Sequence, residues 1–215
     1  MNSRVATAIA LRRRAYTRDL SNLCRYGPHA PRYGERLWID PCEVGGNPFP
    51  KIEGYLKHDT GRIVKEWPEA IPDITDNCNF SEALTHWRDG LSWEECGRLP
   101  RWRAELETGR QPYGCSTEDD LLARLDAWDR MFDSVKADGA LLPRTAISRS
   151  AFREVGGIGI HVGPNGQLYK GRDGHHRFAA ALAAGLEVIP VVVGVVHQTA
   201  ISRLPDMRRV SGLFP

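Results

Sequence analysis

The stretch of sequence that decides the fold is "KGRDGHHRFAAALAAGLEVIPVVVGVV", residues 170–196. It opens with a glycine-flanked acid, two adjacent histidines and an arginine, and it continues into an alanine-rich and then a valine-rich segment. The pattern predicts a loop over 171–177, a helix over 178–184 that stops at Gly185, and a buried strand over 188–196. The polar residues therefore fall at a junction between secondary-structure elements.

The residues before this stretch favour a β-hairpin. "GIGIHV" (157–162) alternates like a strand, "GPNG" (163–166) is a turn, and "QLYK" (167–170) is a second strand. His161 on the first strand is more simply a hydrogen-bonded structural histidine than a ligand. The hairpin delivers the chain directly to the loop.

The middle of the chain predicts a helical insert over about 80–139. One helix ends at Gly90, and a second starts at Ser92, with Glu95 at the spacing of a capping box. A third follows the cap residues Thr117 and Asp120 and ends at Gly139. Its apolar positions form one stripe that belongs to a core: Leu121, Leu122, Leu125, Trp128, Met131, Phe132 and Val135.

Charge is unevenly distributed in this chain of 215 residues, whose net charge is +2. Residues 1–36 carry eight arginines against Asp19 and Glu35, a local balance of +6. Such a segment either contacts nucleic acid or anionic lipid, or it lies on its own domain with its charges solvated, and the last interpretation is favoured. The arginines are Arg4, Arg12, Arg13, Arg14, Arg18, Arg25, Arg32 and Arg36.

The remaining composition is that of an ordinary globular protein. The five cysteines are widely spaced without a CxxC pair, which argues against a disulfide framework or a zinc knuckle. The apolar run "VATAIAL" (5–11) is short and is followed by arginines, so we expect neither a signal peptide nor a membrane partner. We expect a cytoplasmic protein.

These patterns predict an α+β fold, a small mixed sheet with packed helices. We expect a basic N-terminal helical extension over 1–36, one domain over 37–200 that carries the helical insert, and a C-terminal tail over 201–215. "RLWID" (36–40) and "GRIV" (61–64) are two further short strands.

The junction itself suits an anionic ligand. A glycine loop that runs into a helix start presents unpaired N–H groups and the positive end of the helix dipole. Arg177 can donate to two oxygens of a phosphate, and His175 and His176 can donate hydrogen bonds or move protons near neutral pH. Asp173 has three open roles: a Mg²⁺ ligand, a base toward an attacking hydroxyl, or a structural acceptor for loop N–H groups.

The segment "DGHHRFAAALAAGLEVIPVVV" (173–193) resembles the nucleotide-binding box of the ParB/sulfiredoxin superfamily, in which a D-G-H-H-R loop precedes an alanine-rich helix, a glycine and an "IPV" strand. The resemblance covers about forty residues, 158–196. Upstream, "IDPCEV" (39–44) and "NPFPK" (47–51) are similar to the first strand and the "NPxQPR" stretch of ParB-like domains, without its glutamine and arginine.

The resemblance implies a function as well as a fold. In the family this loop binds the phosphates of CTP or ATP, which assigns that role to Gly174, His175, His176 and Arg177, with Gly171 and Arg172 in the same loop. Relatives that are kinases of a small hydroxyl substrate use the aspartate of this box in catalysis, so Asp173 is the matching residue. Their second acid lies near the first strand, where Glu43 is the analogue.

Departures from the family pattern narrow the function. Sulfiredoxin has a cysteine where this chain has His175, so its reductase chemistry is excluded. Nineteen residues follow Val196, too few for the DNA-binding domain of a partition protein, and only Asp173 could serve the metals of a nuclease.

Two hypotheses follow. The first is an enzyme that binds ATP or CTP with Mg²⁺ in the loop and transfers the terminal phosphoryl group to a small hydroxyl substrate or to water, with Asp173 and His175 as catalytic residues. The second is a non-catalytic nucleotide switch that contacts DNA or a protein partner. Nucleic-acid contact through the arginine-rich N-terminus is possible but not favoured.

Overall fold

The computed structural model describes residues 3–48 and 59–212. Within these residues the helices are α1 (Ser3–Tyr26), α2 (Cys78–Asp89), α3 (Arg98–Glu107), α4 (Glu118–Asp138), α5 (Arg144–Ile147), α6 (His175–Ala183) and α7 (Leu204–Ser211). The strands are β1 (Arg36–Ile39), β2 (Val44–Gly45), β3 (Arg62–Val64), β4 (Ile158–Val162), β5 (Leu168–Lys170) and β6 (Ile189–His197). A mixed α/β fold with one mixed sheet is therefore confirmed.

Strand β6 is the centre of the sheet. Parallel β4 pairs along one side of it, while antiparallel β1 and parallel β3 pair with opposite ends of its other side. Strand β5 forms the predicted hairpin with β4, and β2 pairs in parallel with β5. All nine residues of β6 are buried, as predicted for a strand with apolar residues on both faces.

The chain divides into two compact units. The sheet unit comprises the described residues of Met1–Asp73, together with Leu142–Gly174 and those of Glu187–Pro215, and it contains the sheet, α1, α5 and α7. The helical unit comprises Ile74–Leu141 and His175–Leu186, and it contains α2, α3, α4 and α6. The chain passes from the first unit to the second between Gly174 and His175.

Helix α4 has the boundaries that its cap residues predict. The Thr117 side chain accepts a hydrogen bond from the Asp120 amide, and the Asp120 side chain accepts one from the Thr117 amide. Gly139 ends the helix with a φ of 58°. The predicted apolar stripe is buried or half-buried with one exception, because Leu122 is exposed. That residue lies about 100° around the helix from Leu121, outside the packed face.

Two predicted helix starts were wrong. Ser92 and Glu95 do form the reciprocal hydrogen bonds of a capping box, but α3 begins only at Arg98. Gly97 has a φ of 85°, which interrupts the helical conformation before that point. Helix α6 begins at His175, three residues earlier than predicted, because the loop already ends at Gly174 with a φ of 78°.

The two ends of the described chain belong to the sheet unit. Asn22 of α1 is buried, and its side-chain amide donates to the carbonyls of Pro31 and Gly61, each at 2.7 Å. The predicted C-terminal tail contains α7, whose Leu204 is fully buried. No helix within 3–48 and 59–212 is both long and apolar enough to span a bilayer.

Candidate functional site

The loop over 171–174 follows β5 and forms two backbone hydrogen bonds with one residue of β4, Gly159. The amide of Gly171 donates to the carbonyl of Gly159 at 2.7 Å, and the amide of Gly159 donates to the carbonyl of Asp173 at 3.1 Å. The predicted phosphate-binding residue Gly171 therefore has its own N–H committed to the sheet. Any contribution of this loop to anion binding comes from its other amides and its side chains.

Lys170 lies fully buried beneath the loop. Its Nζ atom donates to the carbonyl of Gly171 at 2.8 Å and to the carbonyl of Asp173 at 2.5 Å. In a planar trans peptide the N–H points opposite to the C=O. The amides of Arg172 and Gly174, which share peptide planes with these carbonyls, therefore point away from the buried amine.

The charge state of Lys170 depends on its burial. Burial lowers its pKa to about 7, and the nearby carboxylate of Asp173 acts in the opposite direction. A lysine that is half neutral near pH 7 still donates hydrogen bonds to carbonyl oxygens, so the loop stays supported in both states. The sequence shows Lys170 only as the last residue of a predicted strand.

His161 occupies an irregular position in the sheet. Between the β4–β6 pairs Ile160↔Val193 and Val162↔Val196, β4 has one residue and β6 has two, which is a bulge. The His161 Nδ1 atom accepts a hydrogen bond at 2.9 Å from the amide of Val195, so the imidazole replaces a backbone carbonyl there. The structural interpretation of this histidine agrees with the contact.

The protonation of His161 follows from its surroundings. Its pKa is lowered to about 3, first by complete burial and second by the charge of Lys170, while Asp173 opposes the shift. Because Nδ1 accepts, the proton of the neutral ring is on Nε2. His161, Lys170 and Asp173 thus form an interacting set of ionisable groups under and within the loop.

Gly174 is a position that no other residue can occupy without strain. Its φ is 78°, and a Cβ added there would lie 2.8 Å from the Cα of Ile158. Both the backbone conformation and the close approach to β4 therefore require glycine. The tight turn allows α6 to begin at the next residue.

The other half of the predicted motif, over 175–177, opens α6 in the helical unit. The ring of His176 stacks on Trp128 with centroids 3.7 Å apart and meets Tyr113 edge-on at 5.6 Å. One face of this imidazole is thus covered by Trp128. His175 and Arg177 are half-buried.

Glu43 lies away from the loop. Because Val44 pairs with Leu168 and Gly45 with Tyr169, Glu43 is next to the start of β5, whereas Asp173 follows its end. The strand between them is about 10 Å long at the usual rise per residue. Glu43 instead lines a cavity of about 440 Å³ with Asp40, Glu187 and apolar residues. The structure gives its assignment as a second acid no geometric support.

The upstream match to the family is only partly within the described residues. The amide of Asn47 donates to the carbonyl of Pro72 at 2.8 Å, but residues 49–51 of "NPFPK" lie outside the described ranges. In the part of the chain that the structure describes, no group of three or more His, Cys, Asp or Glu side chains could hold a metal ion. Asp173 is thus the one carboxylate of the predicted loop.

Lys170 is the residue that sequence reasoning missed. Strand alternation contains the signal, because Leu168 and Lys170 are on the same side of β5 and both are buried, whereas Tyr169 between them is half-buried.

Comparisons of the chain with protein-family models, with curated proteins and with solved structures found no match.

Proposed function

We propose that this chain is a ParB/sulfiredoxin-like protein that binds ATP or CTP together with Mg²⁺ through residues 171–177. We infer further that it is an enzyme that transfers the terminal phosphoryl group to a small hydroxyl substrate or to water. In this proposal Arg172, Gly174, His175, His176 and Arg177 contact the nucleotide phosphates. Glu43 has no part in it, since it lies beyond the other end of β5.

The observation that carries the proposal is the orientation of the loop peptides. Lys170 draws the carbonyls of Gly171 and Asp173 toward the buried side, so the amides of Arg172 and Gly174 point the other way. Backbone N–H groups turned to one side of a loop favour anions, and phosphate oxygens are the usual acceptors. The exposed side chain of Arg172 adds a guanidinium to the same loop.

The Asp173 carboxylate is suited to bind a Mg²⁺ ion that also binds the phosphate oxygens of the nucleotide. Mg²⁺ in nucleotide sites keeps several waters and takes one or two protein carboxylates along with phosphate oxygens, so a single carboxylate is sufficient. When bound, the metal would neutralise charge on the phosphates. Asp173 would hold it or accept the proton of the attacking hydroxyl, and His175 would donate to a phosphate oxygen.

A nucleotide switch is the second candidate, and one observation favours it. The division between the compact units falls within residues 171–177, between Gly174 and His175. A nucleotide bound to the loop would act on the backbone that leads into α6, and a difference in affinity between conformations of that segment is the requirement for a switch. Contact with DNA or a protein partner would then follow nucleotide binding.

Titration calorimetry of the four ribonucleoside triphosphates with Mg²⁺ tests both candidates. We expect ATP or CTP to bind, and Arg172→Gln to weaken binding by about tenfold through loss of a charge-assisted hydrogen bond. Arg149→Gln is the matched control, since Arg149 is also an exposed arginine but lies outside the loop. If none of the four nucleotides binds, or if both variants weaken binding equally, the loop is not the site.

Phosphate release then separates the enzyme from the switch. For an enzyme, Asp173→Asn should lower turnover by about a hundredfold or more while nucleotide affinity stays within a few fold. For a switch, no phosphate is released, and nucleotide changes the hydrogen exchange of peptides within 175–186.

A further inference from the structure

Helix α1 carries a cluster of arginines around one buried carboxylate, in the sheet unit and outside the loop discussed above. The side chain of Asp59 is only 4% exposed. Its Oδ1 atom lies 3.3 Å from Arg14 Nη2 and 3.1 Å from Arg18 Nη2, and its Oδ2 atom lies 3.6 Å from Arg62 Nη1. Asp59 thereby ties α1 to the residues that lead into β3.

The helix supplies more positive charge than Asp59 balances. Arg13, Arg14 and Arg18 carry three guanidiniums within two turns of α1, and Asp59 supplies one carboxylate. Among the residues that the structure describes, Arg13 forms no ion pair. Two positive charges on this side of the helix are therefore left without a balancing carboxylate from Asp59.

A cavity of about 500 Å³ lies along this side of α1. Arg13, Arg14 and Arg18 line it together with the hydroxyl residues Thr17 and Ser21 and with Ala10. The Nη1 atom of Arg18 is buried and has no hydrogen-bond partner within the described ranges. Three guanidiniums and two hydroxyls thus line one space that is large enough for a small organic ligand.

We propose that this cavity is a binding site for the phosphate group of a small phosphomonoester. As far as the structure describes the chain, the lining contains three guanidiniums and no carboxylate, and a phosphate monoester offers three acceptor oxygens and a charge close to −2 near neutral pH. Arginine matches the geometry of phosphate oxygens better than any other cationic side chain. Holding Asp59 in place accounts for Arg14 and Arg18, but it does not account for Arg13, which lines the same cavity.

The proposal goes beyond the nucleotide function and does not depend on it. Calorimetry at constant ionic strength with inorganic phosphate and with glycerol 3-phosphate measures the site directly. Arg13→Gln removes a cavity guanidinium that forms no ion pair among the described residues, so the fold should be retained. Arg25→Gln, an exposed arginine of the same helix that does not line the cavity, is the matched control.

We expect saturable binding of both probes, weakened about tenfold by Arg13→Gln and unchanged by Arg25→Gln. Hydrogen exchange should slow in α1 peptides within 10–21 when glycerol 3-phosphate is added, which distinguishes this site from the loop over 171–177. Absence of saturable binding, or an equal loss in the two variants, overturns the proposal. Binding of a short single-stranded oligonucleotide without a saturable response to either small probe also overturns it, in favour of a nucleic-acid surface.

Discussion

Cationic side chains that are buried in the sheet unit and in the helical unit have different partners. In the sheet unit, buried His161 and Lys170 bond to backbone groups, and the pKa values of both are lowered, so their neutral forms are favoured. In the helical unit, buried Arg98 lies 2.6 Å from the carboxylate of Glu82 and stays charged. The comparison shows that backbone dipoles suffice where a group can lose its charge, whereas a permanent cation needs an anion.

A second network in the helical unit follows the same rule. The carboxylate of Asp129 accepts from His86 Nε2 at 3.0 Å, and from the indole N–H groups of Trp87 and Trp93 at 2.9 Å each. Burial acts to raise the pKa of Asp129, but the hydrogen bonds from His86, Trp93 and Trp87 outweigh it and lower the pKa. Charge in this unit is therefore retained and surrounded by donors.

The largest effect is expected for Glu82→Gln. The change leaves Arg98 buried without its countercharge, and breaking such a pair costs about 3–5 kcal/mol in free energy of unfolding. Urea unfolding monitored by tryptophan fluorescence measures the loss, because Trp87, Trp93, Trp102 and Trp128 all lie in the helical unit.

Glu94→Gln is the control for that measurement. Glu94 pairs with Arg103 at 2.8 Å, but both side chains are substantially exposed, so its loss should cost less than about 1 kcal/mol. Equal losses in the two variants would mean that burial does not distinguish the pairs, and the comparison between the units would break.

An intermediate effect is expected from the pH dependence of the sheet unit. The pKa of Lys170 is about 7 in the folded state and about 10.4 in an unfolded chain. Between these values the unfolded chain holds a proton that the folded chain has lost, so the free energy of unfolding should rise with pH by up to about 1.4 kcal/mol per unit.

Methyl NMR of valine-labelled protein during urea unfolding measures this rise, since five valines lie in β6. Between pH 7.5 and 9.5 the wild-type midpoint should increase, and Lys170→Met should remove the increase. A midpoint that falls with pH, or the same slope in both proteins, would show that Lys170 keeps its proton when folded.

The smallest effect is expected for Asp129→Asn, because the carboxylate is about one-third exposed and solvent weakens its interactions. We expect a loss of about 1 kcal/mol at pH 7. A carboxyl whose pKa is lowered on folding stabilises above its unfolded pKa of about 3.9, and the contribution disappears as pH falls further. Fluorescence-monitored unfolding at pH 7 and pH 3 should therefore show a smaller difference between variant and wild type in acid.

Local signals predicted much of the fold. The cap residues Thr117 and Gly139 act within one turn of α4, so its bounds could be predicted from sequence. The pair Ser92 and Glu95 made the right hydrogen bonds, yet the positive φ of Gly97 delayed the helix. Whether a glycine takes this conformation depends on the surrounding fold, which sequence pattern does not reveal.

The candidate site was harder to predict because it depends on tertiary contacts between distant segments. A lysine is normally solvent-exposed, and the burial of Lys170 makes sense only with the carbonyls of Gly171 and Asp173 folded over it. The pairing of His161 with Val195 likewise joins segments more than thirty residues apart. Such contacts follow from the sheet register, which the order of strand-like segments does not determine.

The central place of β6 has a consequence for synthesis of the chain. This strand, Ile189–His197, pairs with β1, β3 and β4. These three strands precede it in the chain, so they cannot complete their pairing until β6 has been synthesised. On the ribosome the backbone N–H and C=O groups along the edges that pair with β6 lack this partner until the late segment emerges. We therefore expect co-translational assembly of the sheet to be abrupt, completed in one step by the last strand to leave the exit tunnel.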